Sequence, residues 1–324
     1  MPRWAFFIAA LAFIHASHAQ EKAPPAARDI EECRKLEGKP GELECWRGLP
    51  RQPRPGFIAD EWALDRRNIS ATQILPFRPT YLIFRVTNDA NDQPTGIAEP
   101  LNLDDGEIKF QLSLRGEFLS PAQFEHFGAG RFRLWFAYTQ QSNWQAFNTE
   151  QSRPFRDTNY EPEAILTYDM REERLKDAPV SLRPALLNLG LTHQSNGRSE
   201  PLSRTWWRLY LQGGWQTQWG SLLARGWHTF HDEGWESDNP DINDYVGRAD
   251  VVFRSKEGGW YVLMRSNLRR PSEHRGFVQI DWRAPWSPFN VPLHLQFTHG
   301  YGESLLDYNH KQTTLGFGMS FWDW

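Results

Sequence analysis

The sequence predicts an all-β protein, a twelve-stranded antiparallel transmembrane β-barrel with an N-terminal periplasmic extension. Three observations lead to this fold class. From Tyr81 onward apolar and polar residues alternate with a period of two. No run approaches the ~18 consecutive apolar residues that a spanning helix needs. The mean hydropathy of −0.65 agrees with strands whose two faces average out as hydrophilic.

The N-terminus has the pattern of a secretory signal peptide. A positive start is followed by an apolar stretch over residues 4–14 and by small residues at a cleavage site around residues 17–19. We therefore expect residues 1–19 to be a signal peptide and the mature chain to be exported.

The next segment, residues 20–70, is rich in Pro, Arg and Glu and has no sustained period. It is predicted to be a partly disordered periplasmic extension. The chain's two cysteines, Cys33 and Cys45, lie in this segment. Because export implies an oxidising compartment, a Cys33–Cys45 disulfide is expected, and two free thiols are the alternative.

Residues 71–324 are predicted to form the barrel. About twelve alternating segments follow Tyr81, an even number, and aromatic residues near segment ends suit two membrane-interface girdles. The polar inner residues would pair and fill so narrow a lumen. A soluble sandwich that buries its apolar face between two sheets is the alternative. The clearest alternating apolar sets are Ile108, Phe110, Leu112 and Leu114; Phe132, Leu134, Phe136 and Tyr138; Val278, Ile280 and Trp282; Val291, Leu293, Leu295 and Phe297; and Leu315, Phe317, Met319 and Phe321.

One short segment combines a possible base with a possible nucleophile. His193 and Ser195 are two residues apart, so on a strand they share a face, and Leu191 shares it too. Asn196 and Gly197 predict a turn directly afterwards. In a barrel this face meets lipid, and a Ser next to a His can attack an ester. The His-x-Ser triplet by itself is a weak signal.

The longer string HQSNGRSEPLSRTW, residues 193–206, resembles the active-site segment of outer-membrane phospholipase A. The resemblance implies a twelve-stranded barrel with its active site on the outer surface, and Ca2+-dependent hydrolysis of the sn-1 and sn-2 acyl esters of phospholipids. It also implies that Ser195 is the nucleophile, that His193 is the general base, and that the active form is a homodimer. Further blocks appear in the family's order: Tyr138 to Gln140 with Trp144, residues 152–156, 158–162, 238–242 and 300–309.

The sequence departs from the family at one important position. The family's third triad member is an Asn, and Trp207 stands at the matching position, fourteen residues after His193. An indole N–H can only donate, so it cannot accept a bond from the imidazole. Strand parity still predicts that Trp207 lies against His193. The orienting role is then either lost but dispensable, or transferred to Thr205 or a water, or the protein is an inactive structural barrel.

The resemblance also implies metal ligands. The Arg198 carbonyl, Ser203 and the partner subunit's Ser152 match one Ca2+ site, and Glu200 and Asp238 match a second arrangement associated with the monomer. Oxygen ligands of this kind suit calcium. Without the resemblance, the two serines would be interpreted as ordinary turn residues.

The predicted partners follow from the same resemblance and from charge. Gln140 matches a polar residue at the dimer interface, where pairing across a two-fold axis would satisfy it. A Gln that faces the lumen is the alternative. The net charge of −4 argues against a nucleic-acid partner. A soluble periplasmic all-β hydrolase remains a competing hypothesis.

Overall fold

The computed structural model describes residues 57–66, 73–153, 155–171, 183–230, 239–284 and 291–321. The predicted signal peptide, the Cys33–Cys45 pair, residues 20–56 of the predicted extension, and Asp238 lie outside these ranges.

Within the described ranges, twelve long strands form a closed antiparallel barrel. Each strand pairs with its neighbours in the chain, and the last strand pairs with the first long one, which closes the sheet. The strands are β1 Ile74–Pro76, β2 Tyr81–Thr87, β3 Gly106–Leu119, β4 Phe132–Trp144, β5 Asp157–Asp169, β6 Leu186–Ser195, β7 Thr205–Gln216, β8 Gly220–Phe230, β9 Ala249–Ser255, β10 Trp260–Ser266, β11 Gly276–Arg283, β12 Leu293–Tyr301 and β13 Lys311–Ser320. Short β1 pairs with β3 beyond the end of β2. The predicted twelve-stranded barrel is confirmed.

The barrel has two ends that differ in their connections. The connections that follow β2, β4, β6, β8, β10 and β12 form the loop end, and those that follow β3, β5, β7, β9 and β11 form the turn end. Two short helices, α2 Pro121–Glu125 at the turn end and α3 Ile242–Tyr245 at the loop end, belong to these connections. None of the helices in the described part of the chain is long and apolar enough to cross a membrane.

The period-two pattern of the sequence determines which side chains enter the barrel. On β6, Asn188 and Thr192 are fully buried in the interior, whereas Leu189 and Leu191 are 47% and 40% exposed on the outside. The same arrangement, polar inside and apolar outside, holds on β7, where Arg208 is buried and Leu211 is exposed. Polar groups therefore fill the inside, and the outer surface is apolar, as lipid requires.

Ion pairs and hydrogen bonds cross the lumen. Arg78, between β1 and β2, donates to Glu161 at 2.7 Å and also pairs with Glu163. Arg225 pairs with Asp250. Because these buried charges have partners of opposite sign, the narrow interior can be both polar and packed.

Helix α1, Phe57–Glu61, closes the turn end from inside. Its Ile58 and the following Trp62 are each 1% exposed, and the Trp62 ring meets Trp135 edge to face at 6.5 Å. The Ile58 N–H donates to Gln216 Oε1 at 2.8 Å. Part of the segment predicted as an extension therefore lies within the barrel, because these two apolar side chains are buried there.

Candidate active site

His193 and Ser195 lie at the loop end of β6, on the outer surface of the barrel. They share the outward face with Leu189 and Leu191, and the residue between them, Gln194, points inward. Both side chains are half-buried. A potential nucleophile and a potential base thus end an apolar stripe that faces lipid.

Ser195 is flanked by one residue on each neighbouring strand. It lies opposite Tyr160 on β5 and opposite Thr205 on β7. Tyr160 itself lies opposite Gln140 on β4. Gln140, Tyr160 and Ser195 therefore form one outward row across three adjacent strands.

His193 lies opposite Trp207 on β7. The two ring centroids are 4.5 Å apart and the ring planes make an angle of 41°. On the other side, the β5–β6 register that joins Glu163 to Thr192 sets Pro162 across from His193. The indole therefore lies against the imidazole, as strand parity predicts.

The inner face of β6 is anchored by hydrogen bonds. Gln194 Oε1 accepts from Trp206 Nε1 at 2.8 Å, and Thr192 Oγ1 donates to Glu163 at 3.2 Å. Deeper in the barrel, Gly190 lies beneath the ring of Tyr210, where a Cβ would come within 2.1 Å of the ring. The outward side chains thus project from a strand that is held in one position, which is what a pre-organised site needs.

Asn196 shapes the loop that follows β6. Its Oδ1 accepts the N–H groups of Arg204 at 2.9 Å and Arg198 at 3.3 Å, and its Nδ2 donates to the Leu202 carbonyl at 2.9 Å. Gly197 has a φ of +63°, which a Gly adopts without strain. The sequence indicated a turn here, but the Asn196 scaffold depends on residues up to eight positions away.

The loops that carry the predicted calcium ligands are joined. The Arg198 guanidinium donates to the carbonyls of Arg156 at 2.8 Å and Phe155 at 3.3 Å, which connects the β6–β7 loop to the β4–β5 loop. In that second loop, the Ser152 carbonyl accepts from Trp144 Nε1 at 2.9 Å.

The other predicted ligands lie in or beside the β6–β7 loop. Ser203 is half-buried, its carbonyl accepts from the Arg204 guanidinium, and Glu200 is exposed. Asn239, next to the undescribed Asp238, accepts from the Thr205 N–H at 2.9 Å. Across the described ranges no three His, Cys, Asp or Glu side chains gather as a metal site. The donors available are mainly carbonyl and hydroxyl oxygens, which fit a hard cation such as Ca2+.

Gln140 points outward, so the lumen-facing alternative is wrong. Its Oε1 accepts from the Tyr138 hydroxyl at 3.0 Å, and its Nε2 donates to Ser142 Oγ at 3.4 Å. Neighbouring strands are ~4.8 Å apart, so the two ladder steps from Gln140 to Ser195 span about 10 Å.

Comparison with known proteins gives consistent matches. The sequence profile of the family described as phospholipase A1 matches residues 58–321. A putative phospholipase A1 of Neisseria meningitidis serogroup B is 38% identical over 224 residues, which are 67% of this chain and 55% of that protein. The phospholipase A1 of Escherichia coli K12 is 34% identical over 257 residues, which are 76% of this chain and 80% of that protein.

Solved structures agree. The outer-membrane phospholipase A of Escherichia coli is 30% identical with a TM-score of 0.64, covering 78% of this chain and 99% of its own. The outer-membrane phospholipase dimer of Salmonella typhi with bound calcium is 28% identical with a TM-score of 0.67, covering 83% and 98%. The soluble alternatives do not fit these matches, and the predicted family, enzyme class and outer-membrane location are confirmed. The chain belongs to the phospholipase A1 family of outer-membrane β-barrel enzymes.

Proposed function

We propose that this protein hydrolyses the acyl esters of glycerophospholipids on the outer surface of its barrel, with Ser195 as nucleophile and His193 as general base. The observation that carries the proposal is the shared outward face of these two residues at the end of the Leu189 and Leu191 stripe. Membership of a phospholipase family supports it. A substrate that is itself a lipid reaches such a site from within the membrane.

The chemistry follows from the residue types. His193 takes the proton from Ser195 Oγ as the oxygen attacks the ester carbonyl, and a tetrahedral intermediate forms. The imidazolium then gives this proton to the departing lysophospholipid oxygen, which leaves the acyl group on Ser195. Water, deprotonated by His193, hydrolyses this ester and releases the fatty acid. Exposed Leu209 and Leu211 on β7, beside the β6 stripe, offer an apolar surface for the acyl chain.

We propose that Ca2+ takes part. The related Salmonella typhi protein is a dimer with bound calcium. Here the Arg198 carbonyl, Ser203 and the partner subunit's Ser152 would hold the ion, and Glu200 and Asp238 would serve the monomer. When bound, the ion supplies positive charge for the developing oxyanion. Arg198 contributes through its side chain as well, because its guanidinium ties the two ligand loops together.

We propose that two copies associate around Gln140. An amide that faces hydrocarbon is costly, and a partner across a two-fold axis would satisfy its remaining hydrogen bonds. The row from Gln140 through Tyr160 to Ser195 supports this arrangement, because an interface on β4 would lie beside the proposed site.

The test is fatty-acid release from phospholipid in mixed micelles by the purified protein. We expect release that requires Ca2+ and stops in Ser195→Ala, while Ser272→Ala, in the exposed β10–β11 loop, keeps wild-type activity. Equal activity of wild type and Ser195→Ala would refute the mechanism. Phospholipid labelled separately at the two acyl positions would show whether both esters are cleaved.

A second candidate, a structural barrel without hydrolytic activity, rests on one observation. Trp207 lies against His193 and has no acceptor to offer it. Wild-type protein that releases no fatty acid with Ca2+, and a Trp207→Asn variant that does, would favour this candidate.

A further inference from the structure

We propose that Trp207 is a positioning residue whose indole face orients the His193 imidazole and stabilises its protonated form. The inference rests on the proposed function. It assigns to aromatic stacking a part in orienting the imidazole.

The geometry brings the two rings into direct contact. Their centroids are 4.5 Å apart, and the 41° tilt presents part of the indole face to the imidazole. His193 and Trp207 are also opposite residues of the β6–β7 ladder, so the backbone fixes their separation. On the other side of His193, the β5–β6 register gives Pro162 the facing position.

The strand that carries the indole is itself anchored. Trp206, immediately before it, donates to Gln194 at 2.8 Å, and Arg208, immediately after it, donates to Glu161 at 2.6 Å. Trp207 also lies opposite Phe230 on β8. The backbone on either side of Trp207 is therefore anchored from the barrel interior, and such rigidity is what a residue that orients another must have.

The chemistry of the indole suits this role only while His193 is charged. An aromatic face attracts a cation through its quadrupole, and tryptophan does so most strongly. The imidazole becomes a cation when it takes the proton of Ser195 Oγ. The attraction thus grows on the way to the transition state, and an interaction of this kind raises kcat rather than substrate affinity.

None of the described outward residues beside His193 on β5, β6 and β7 carries a carboxylate. At the adjacent described positions these are Leu191 and Ser195 on β6, Tyr160 and Pro162 on β5, and Thr205 and Leu209 on β7. Compared with the side chains at these positions, the indole face of Trp207 attracts a cation most strongly.

The test compares Trp207→Leu with Trp207→Phe in the full-length protein, assayed in mixed micelles with Ca2+. Removal of a cation–π contact of ~1–2 kcal/mol corresponds to a loss of about 5- to 30-fold in kcat, and we expect this loss in Trp207→Leu with KM within about twofold of wild type. The acid limb of its kcat–pH profile should move to lower pH, because the protonated imidazole is less stabilised. Trp207→Phe, which keeps an aromatic face, should stay within about threefold of wild type. Trp260→Leu, an outward Trp at the turn end, is the matched control and should leave kcat unchanged.

A second readout does not depend on lipid or calcium. The rate at which a small sulfonyl fluoride modifies Ser195 reports activation of the hydroxyl, and it should fall in the same order, with Trp207→Leu slowest. Trp207→Leu with wild-type kcat and acid limb, or Trp207→Phe as impaired as Trp207→Leu, would overturn the inference. Retained hydrolysis in Ser195→Ala would instead overturn the proposed function, so the two failures are distinguishable.

Discussion

Glu163 joins the packing of the lumen to the strand that carries the site. Its side chain is fully buried, and it accepts from Thr192 Oγ1 and from the Tyr210 hydroxyl, each at 3.2 Å. It also pairs with Arg78 and lies 3.8 Å from Arg225. We predict that Glu163→Ala destabilises the barrel strongly, because two cations and two hydroxyls lose a shared partner.

The size of the destabilisation depends on which ion pairs and hydrogen bonds the partners of Glu163 retain in the variant. Breaking a buried ion pair costs ~3–5 kcal/mol, and the low end applies because Arg78 keeps Glu161 and Arg225 keeps Asp250. Each orphaned hydroxyl adds ~1 kcal/mol. The loss in the free energy of unfolding should therefore be about 5 kcal/mol, of which the ion pair contributes ~3 and the two hydroxyls together ~2. Glu163→Gln keeps an acceptor oxygen for the hydroxyls and should cost about 2 kcal/mol less, in line with the same hydroxyl increments.

The measurement is urea-induced unfolding in micelles, followed by tryptophan fluorescence and by the gel mobility of the folded barrel. Glu257→Ala, in the exposed β9–β10 turn, is the matched control and should stay within ~0.5 kcal/mol of wild type. A Glu163→Ala protein within ~1 kcal/mol of wild type would show that the contacts of Glu163 contribute little to the stability of the barrel.

Three further predictions concern other parts of the barrel. Gly190→Ala should destabilise the protein by ~1–3 kcal/mol, measured by the same unfolding assay, because its Cβ would come within 2.1 Å of Tyr210; an unchanged midpoint would contradict this. In the β12–β13 loop, burial raises the pKa of the Asp307 carboxyl, but the Arg156 guanidinium outweighs burial and holds that pKa below its usual range. The stability that this pair contributes is fully present above the unfolded-state pKa of ~3.9, and it is lost as the pH falls through the pKa of Asp307 in the folded protein. Proteolysis of this loop should therefore accelerate in acid in the wild type but not in Asp307→Asn. Gln140→Leu should weaken the Ca2+-dependent dimer in sedimentation experiments and lower activity at low protein concentration, while a dimer of wild-type strength would exclude Gln140 from the interface.

Local sequence determined much of this site. The alternation of polar and apolar residues predicted the strands and the outward direction of His193, Ser195 and Gln140. It could do so because the side-chain period of a strand is two, so a single assignment of faces fixes the direction of every residue along it. The Asn196–Gly197 turn was also predictable, because the preference for a turn depends on residues that are adjacent in the sequence.

Contacts between distant segments depended on the closed barrel. Three such contacts join residues that are 42 to 85 positions apart in the chain. Trp62 packs against Trp135 at the turn end, Arg78 pairs with Glu161 and Glu163, and Arg198 donates to the Arg156 carbonyl. Strand parity predicted that Trp207 lies beside His193, but the orientation of the indole ring relative to the imidazole was visible only in the tertiary structure. A sequence period fixes the face on which a side chain lies, whereas ring angles and loop contacts depend on how all twelve strands pack when the sheet closes on itself.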